Sequence, residues 1–398
     1  MSGVVTGVAG PASAALPPDR LGSPSPIQEL AAGEAGRFVR IVRITRDLLS
    51  VDAVGIEVLD HHHRWSSSGF GKATFDSAAV HGLCGATMQV GDQFVLEDVA
   101  ADGRFGDLPS DIGFFAAHPL TSISSGATGV LWVAGAAPRT FDEAARDRLR
   151  DLAKWVSEEA VDSEELTRSR QVQRALLPKS FATLDGYDVA GGSSAKRAVG
   201  GDFYDWYPVR HGAAFTIGDV MGKGMPAALI ATTVRAVMRA GSRSDGVAAA
   251  AEAAEETLDA DLSGASTFVT LFHSYLDEET GVLRYIDAGH GLSLVVHTDG
   301  SSERLSSNSL PLGAGANSEW RAQTVRLHHG STLVSFSDGV LDLFDGTLGA
   351  MDEVETIVRG APTAQAVIDS LMARVDSTVT DDVTVIAVRR TPSGSDWD

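Results

Sequence analysis

Residues 199–207 read VGGDFYDWY, and residues 218–229 read GDVMGKGMPAAL. Two glycines precede Asp202, Asp205 follows three residues later, and Asp219 stands between Gly218 and a second glycine-rich turn. The pattern recurs downstream. The apolar run in STLVSFSDG (331–339) ends on Asp338 and Gly339, and DDVTVIAV (381–388) opens on Asp381 and Asp382. One Asp-Gly at a strand end is ordinary turn chemistry; four such places in one half of a chain need another reason. Carboxylates at the ends of buried strands repel one another unless something positive lies between them. Mg²⁺ and Mn²⁺ suit such a site, because they take oxygen ligands and keep several waters. Two such ions bridged by one carboxylate activate a water and neutralise a phosphoryl oxygen. Neighbouring glycine lets the chain turn sharply and brings main-chain carbonyls close. No set of His or Cys accompanies the aspartates, so zinc is not expected. GDVMGKG lacks the GxxxxGK[ST] spacing of a nucleotide-binding loop.

Around these aspartates, the chain from Gly186 onward has an antiparallel β texture. Strands are expected at 187–191, 202–209 and 213–220, with a buried helix over 225–241 and a second helix over 248–262. The segments 266–277, 281–289 and 292–300 then read as a three-strand meander. The strand 331–338, a helix over 363–375 and the strand 381–390 complete the series. Strands and helices in blocks, without βαβ alternation, predict an α+β fold of sandwich layers.

The first half has a softer signature. Residues 1–27, rich in Ala, Pro and Gly, read as a disordered leader, and 392–398 as a loose polar tail. A helix is expected over 28–49 and strands at 53–59, 117–122 and 129–134, with a helix or loop around HGLCGATM (81–88). A helix starting near Phe141 meets no Gly or Pro before Pro178, so its polar continuation reads as a helical linker over 161–180. Pairing in a homodimer and a solvated single helix both suit its thin apolar stripe. No apolar stretch is long enough to span a bilayer, and the N-terminus has no signal-peptide layout. One cysteine, Cys84, excludes an internal disulfide and suits the cytoplasm. A formal charge of −21 argues against a nucleic-acid partner. Cys84 is read as a packed thiol, the alternatives being a redox sensor or a covalent attachment point. His61, His62 and His63 are read as a hairpin turn, because adjacent strand residues face opposite sides.

In sequence order, QRALLP, GGDFYD, GDVMGKGMPAAL, AGH, SDG and DDVTV resemble the metal-dependent serine/threonine phosphatases of type 2C, in the SpoIIE/RsbU-like branch. The likeness runs from about 171 to 390. It implies an α-β-β-α sandwich over 181–391 with two Mn²⁺ or Mg²⁺ ions at one end. Carried over, Asp219 bridges both metals and the Val220 carbonyl binds one. Asp338 and Asp381 hold the first metal, and Asp202 holds or orients water on the second. Asp205 and Asp382 support these ligands, and Lys223 attracts the phosphate. His290 shapes its turn or, alternatively, protonates the leaving group. Water attacks phosphorus directly, so no covalent phosphoenzyme is expected.

Residues 28–160, through HGLCGATM, VLEDVAADGRFGDLP, FFAAHPL and GVLWVAGAAPRTFDE, resemble the GAF sensory domain. That resemblance implies an antiparallel sheet with helices, and a small ligand or a dimer contact that the residues do not identify. The combined expectation is a sensor-regulated phosphoserine/phosphothreonine protein phosphatase. Its substrate would be a phosphorylated STAS-type antagonist of an anti-sigma factor. The alternatives are a catalytically silent scaffold and a two-metal phosphodiesterase.

Overall fold

The computed structural model describes residues 35–59, 65–71, 75–105, 111–124, 127–178, 184–241, 246–305, 309–315 and 320–391. The expected leader, the expected tail and the three histidines 61–63 lie outside the described residues. The chain folds as two compact units, Met1–Glu164 and Glu165–Asp398.

In the first unit, strands β1 (Ala53–Leu59), β2 (Trp65–Gly71), β3 (Phe94–Leu96), β4 (Phe114–Ser124) and β5 (Ala127–Gly135) form one antiparallel sheet, ordered β2-β1-β5-β4-β3. Helices α1 (Ala35–Leu49) and α2 (Ser77–Val90) and the first turns of α3 (Glu143–Leu176) supply its helical layers. Side chains alternate across a strand, so β1 sends Val54, Ile56 and Val58 to the cluster built with Ile41, Val42, Leu149 and Leu152. Its other face meets Leu83, Cys84, Phe115 and Trp132. The region around HGLCGATM resolves as helix for a local reason. Asp76 caps it by accepting from Ala79 N at 3.0 Å, and Gly91, at φ 71°, ends it in the left-handed conformation.

The second unit stacks two antiparallel sheets between helices. Strands β6 (Tyr187–Ser194), β7 (Phe203–Val209), β8 (Gly212–Val220), β9 (Val269–Asp277), β10 (Val282–Ala288), β11 (Ser293–Val296), β12 (Ser302–Leu305), β13 (Gln323–Arg326), β14 (Thr332–Phe336) and β15 (Val383–Arg390) divide between them. One sheet runs β13-β10-β9-β8-β7 and the other β12-β11-β14-β15-β6. Phe215, Ile217, Phe272, Val295, Leu333 and Ile386 fill the space between the sheets. Helices α4 (Met225–Gly241) and α5 (Val247–Gly264) cover the first sheet through Ala231, Val234 and Leu258. Helices α6 (Ala350–Gly360) and α7 (Ala364–Met372) cover the second through Val354, Val358 and Leu371.

The expected three-strand meander is not formed. β9 and β10 pair as a hairpin, but β11 leaves for the other sheet and pairs with β12 and β14. The crossing is made at residues 287–291. The fully buried Asp287 carboxylate accepts from the main chain of His290 at 2.7 Å and of Gly291 at 2.8 Å. It thereby satisfies two amides that a hairpin would have paired.

Candidate metal and phosphate site

Strand register brings the aspartates to one end of the second unit. Phe203 on β7 lies opposite Gly218 on β8, so one further step places Asp202 level with Asp219. Phe336 on β14 lies opposite Val385 on β15, which brings Asp338, just past β14, beside Asp381 and Asp382, just before β15. Ser337 ties the second pair together: its main-chain N donates to Thr384 O at 2.9 Å, and its Oγ accepts from Thr384 N at 2.9 Å.

The glycines serve close approach. A Cβ on Gly200 would run into the Asp382 carboxylate, and one on Gly201 would lie 2.8 Å from the Val220 carbonyl oxygen. The Asp202 turn therefore passes against two other elements of the site. Asp382 holds this turn, accepting from Lys196 N and Gly201 N, both at 2.8 Å. Gln173, which opens QRALLP near the end of α3, clamps the same turn. Its Nε2 donates to Gly200 O at 2.7 Å and its Oε1 accepts from Gly200 N at 3.2 Å. Arg170, one turn earlier, donates from Nε to Ala198 O at 2.9 Å. Neither Gln173 nor Arg170 stood out in the sequence as a site residue, because a polar residue on a polar helix carries no chemical signature.

Crowded negative charge marks the site. Burial, then the neighbouring Asp338, pushes the Asp219 carboxyl up to about 6. Burial and the nearby Asp219 push Asp202 well above the usual carboxylate range. Asp338 is raised by burial and by Asp381. Asp382 is raised by burial, against which its main-chain donors work. Asp202 is only 7% exposed, and its Oδ2 is buried with no hydrogen-bond donor. A buried carboxylate oxygen without a donor is costly unless a cation meets it. The donor set therefore suits a hard divalent cation. Among the described residues, however, no group of three or more His, Cys, Asp or Glu is arranged to hold a metal as it stands. Asp381 is instead turned onto Lys223, whose Nζ donates to Asp381 Oδ2 at 2.6 Å and to Thr380 O at 3.1 Å.

Two further candidates remain. Asp205 does not join the acidic cluster. Alternation along β7 sends it, with Phe203 and Tyr207, toward α4, where its carboxylate, 1% exposed, meets Arg239 Nε at 2.8 Å and Arg235 Nε at 3.5 Å. It fastens strand to helix. His290 is buried, with Nε2 3.3 Å from Ser335 Oγ, and burial pushes its ring down to about 4. A neutral imidazole held inside the crossing turn suits the structural role better than proton donation.

Residues 210–391 match the family model described as Stage II sporulation protein E (SpoIIE). Among curated relatives, protein IcfG of Synechocystis sp. is 26% identical over 281 residues, covering 62% of this chain and 44% of its own length. Phosphoserine phosphatase RsbU of Bacillus subtilis is 25% identical over 239 residues, covering 57% of this chain and 70% of its own. The chain thus spans less than half the length of the first of these relatives. Among solved structures, the SiaA-PP2C domain of Pseudomonas aeruginosa has a TM-score of 0.51 at 22% identity, covering 58% of this chain and 98% of that one. The sandwich and the comparisons agree on a PP2C-like fold for the second unit, and residues 210–391 of it resemble the SpoIIE family.

Proposed function

We propose that the second unit is a metal-dependent phosphoserine/phosphothreonine protein phosphatase and that the first unit regulates it as a GAF-type sensor. The observation that carries this reading is the acidic cluster. Five aspartates meet at one end of a sandwich, four with carboxyls pushed upward, and one buried oxygen lacks a donor. Asp202, Asp219, Asp338, Asp381 and the Val220 carbonyl would hold two Mn²⁺ or Mg²⁺ ions, which when bound supply Lewis-acid charge and an activated water. Asp219, next to the other carboxylates, is the natural bridge. Asp382 and Gln173 hold the turn that carries Asp202 and so set its distance from Asp219. His290 stays neutral and keeps the β10–β11 crossing in shape. Cys84 is fully buried in the first unit and its thiol is pushed up by burial, so it is no nucleophile.

The phosphoserine phosphatase named among the relatives supports the substrate class. In this reading the substrate is a phosphorylated STAS-type antagonist of an anti-sigma factor, met in the cytoplasm. The five-stranded antiparallel sheet of the first unit supports the GAF reading. The exposure of Trp155, Val161 and Val172 on α3 supports pairing of that helix in a homodimer.

The test is hydrolysis of a phosphoserine peptide, p-nitrophenyl phosphate and cyclic dinucleotides, each with Mn²⁺, with Mg²⁺ and with EDTA. Metal-dependent release of phosphate from the first two is expected. Turnover of cyclic dinucleotides alone would convert the reading to a phosphodiesterase, and inactivity toward all would leave a scaffold.

A further inference from the structure

The acidic cluster contains a resident cation. Lys223 Nζ sits 2.6 Å from Asp381 Oδ2 and also donates to the Thr380 carbonyl. That carbonyl belongs to a fixed residue, since Thr380 donates from N and Oγ1 to Asp342 Oδ2 at 3.0 and 2.5 Å. The ammonium therefore has two acceptors on a braced segment. Of the other basic side chains nearby, Lys196 Nζ donates to Ser377 O, Arg170 donates to Ala198 O, and Arg197 lies against Gly224. Lys223 also lies on an open turn. Gly222 has φ 110° with nothing within 4 Å of the space a Cβ would take, and the Lys223 side chain is 41% exposed.

We propose that Lys223 is an internal stand-in for a divalent cation, paired with Asp381 while the metal is absent and displaced when the metal takes that carboxylate. The inference rests on the metal-dependent reading above. Asp381 Oδ1 already accepts from Asp382 N at 2.9 Å, so a dication approaching this carboxylate competes with the ammonium for Oδ2 and meets its charge within the same shell. Its apparent affinity is therefore reduced by the fraction of molecules in which the carboxylate is free. The displaced ammonium becomes available beside the cluster only once metal has arrived. Positive charge for a phosphoryl group is then presented only in the loaded protein, which reconciles the pairing with Asp381 and a phosphate-attracting role.

The test is equilibrium binding of Mn²⁺ to the full chain, stripped with EDTA and dialysed, read from the electron paramagnetic resonance signal of free Mn²⁺. Lys223→Met, which keeps the stem and deletes the charge, is expected to bind about 3- to 30-fold tighter, the range between an exposed ion pair and a charge-assisted hydrogen bond. Lys223→Arg, which keeps the cation, is expected to stay near wild type. Amine acetylation followed by mass spectrometry gives a second readout, with faster labelling of Lys223 expected on adding Mn²⁺. Equal or weaker binding by Lys223→Met, or labelling unchanged by Mn²⁺, overturns the stand-in role and leaves the metal-dependent reading intact. Absence of Mn²⁺ binding by wild type and both variants overturns the two together.

Discussion

Replacing Asp219 by Asn should make the metal-free protein more stable while abolishing its response to metal. The Asp219 carboxyl is raised to about 6 from an ordinary 3.8 by burial and by Asp338. At about 1.36 kcal/mol per unit, the shift corresponds to about 3 kcal/mol of destabilisation once the group is ionised. The sign follows from linkage. A group whose folded value is raised contributes stability that is complete below its unfolded value and lost as pH rises through the folded one. The window is therefore about pH 4 to 6, and at pH 8 the whole penalty applies. Asn cannot ionise, so Asp219→Asn should gain about 3 kcal/mol at pH 8 and about half of that at pH 5. For a domain of this size that is about 6–12 °C in Tm at pH 8. Buried His273 and His290, held down to about 3 and about 4, change stability with pH in the opposite sense. Because they act equally in both proteins, the difference between variant and wild type is the quantity to follow. The assay is thermal unfolding by circular dichroism in EDTA at pH 5 and 8, repeated with Mn²⁺. Mn²⁺ should raise the wild-type Tm at pH 8 and leave the variant nearly unmoved. A variant less stable than wild type in EDTA at pH 8 would refute the picture of a cluster under mutual repulsion.

Other substitutions separate the roles of neighbouring residues. Asp205→Ala leaves Arg235 and Arg239 facing a buried gap. It should cost about 3–5 kcal/mol in denaturant unfolding while leaving the Mn²⁺ affinity of the folded fraction close to wild type. Gln173→Ala frees the turn before Asp202, so about 10-fold more Mn²⁺ should be needed for half-maximal phosphatase activity, in the range of losses from residues that orient ligands. Insertions near Ser169 should vary in activity with phase, since each added residue turns the downstream helix by about 100° and seven nearly restore it; equal activity at every length would make α3 a passive tether. Cys84, raised by burial, should resist Ellman's reagent in the native protein and react fully in denaturant.

Much of the second unit could be read directly from the residues. The aspartates stand out because four strand ends in one half of the chain carry acid, three of them beside glycine, where a single Asp-Gly would be ordinary turn chemistry. Strands such as AAFTIGDV and the long helix through 176 follow from local signals, an apolar run between turns in the one and a stretch without Gly or Pro in the other. Sheet membership is not local. β10 and β11 are separated by a short turn, yet they part because Asp287 satisfies the amides of that turn and Val295 finds its partners on β12 and β14. The second event is not visible without β12 and β14 in place. The same holds for Asp205 and Asp202, three apart and alike in sequence. Alternation sends one to the arginines of α4 and register sends the other to Asp219. Gln173 became part of the site only when α3 met the turn at Gly200, and Lys223 became a counter-ion only when β15 brought Asp381 to it. Residue types along the chain determined that acid and glycine would gather at strand ends. The packing of two sheets decided which acids face one another, because charge interactions act through space and only the tertiary fold sets those distances.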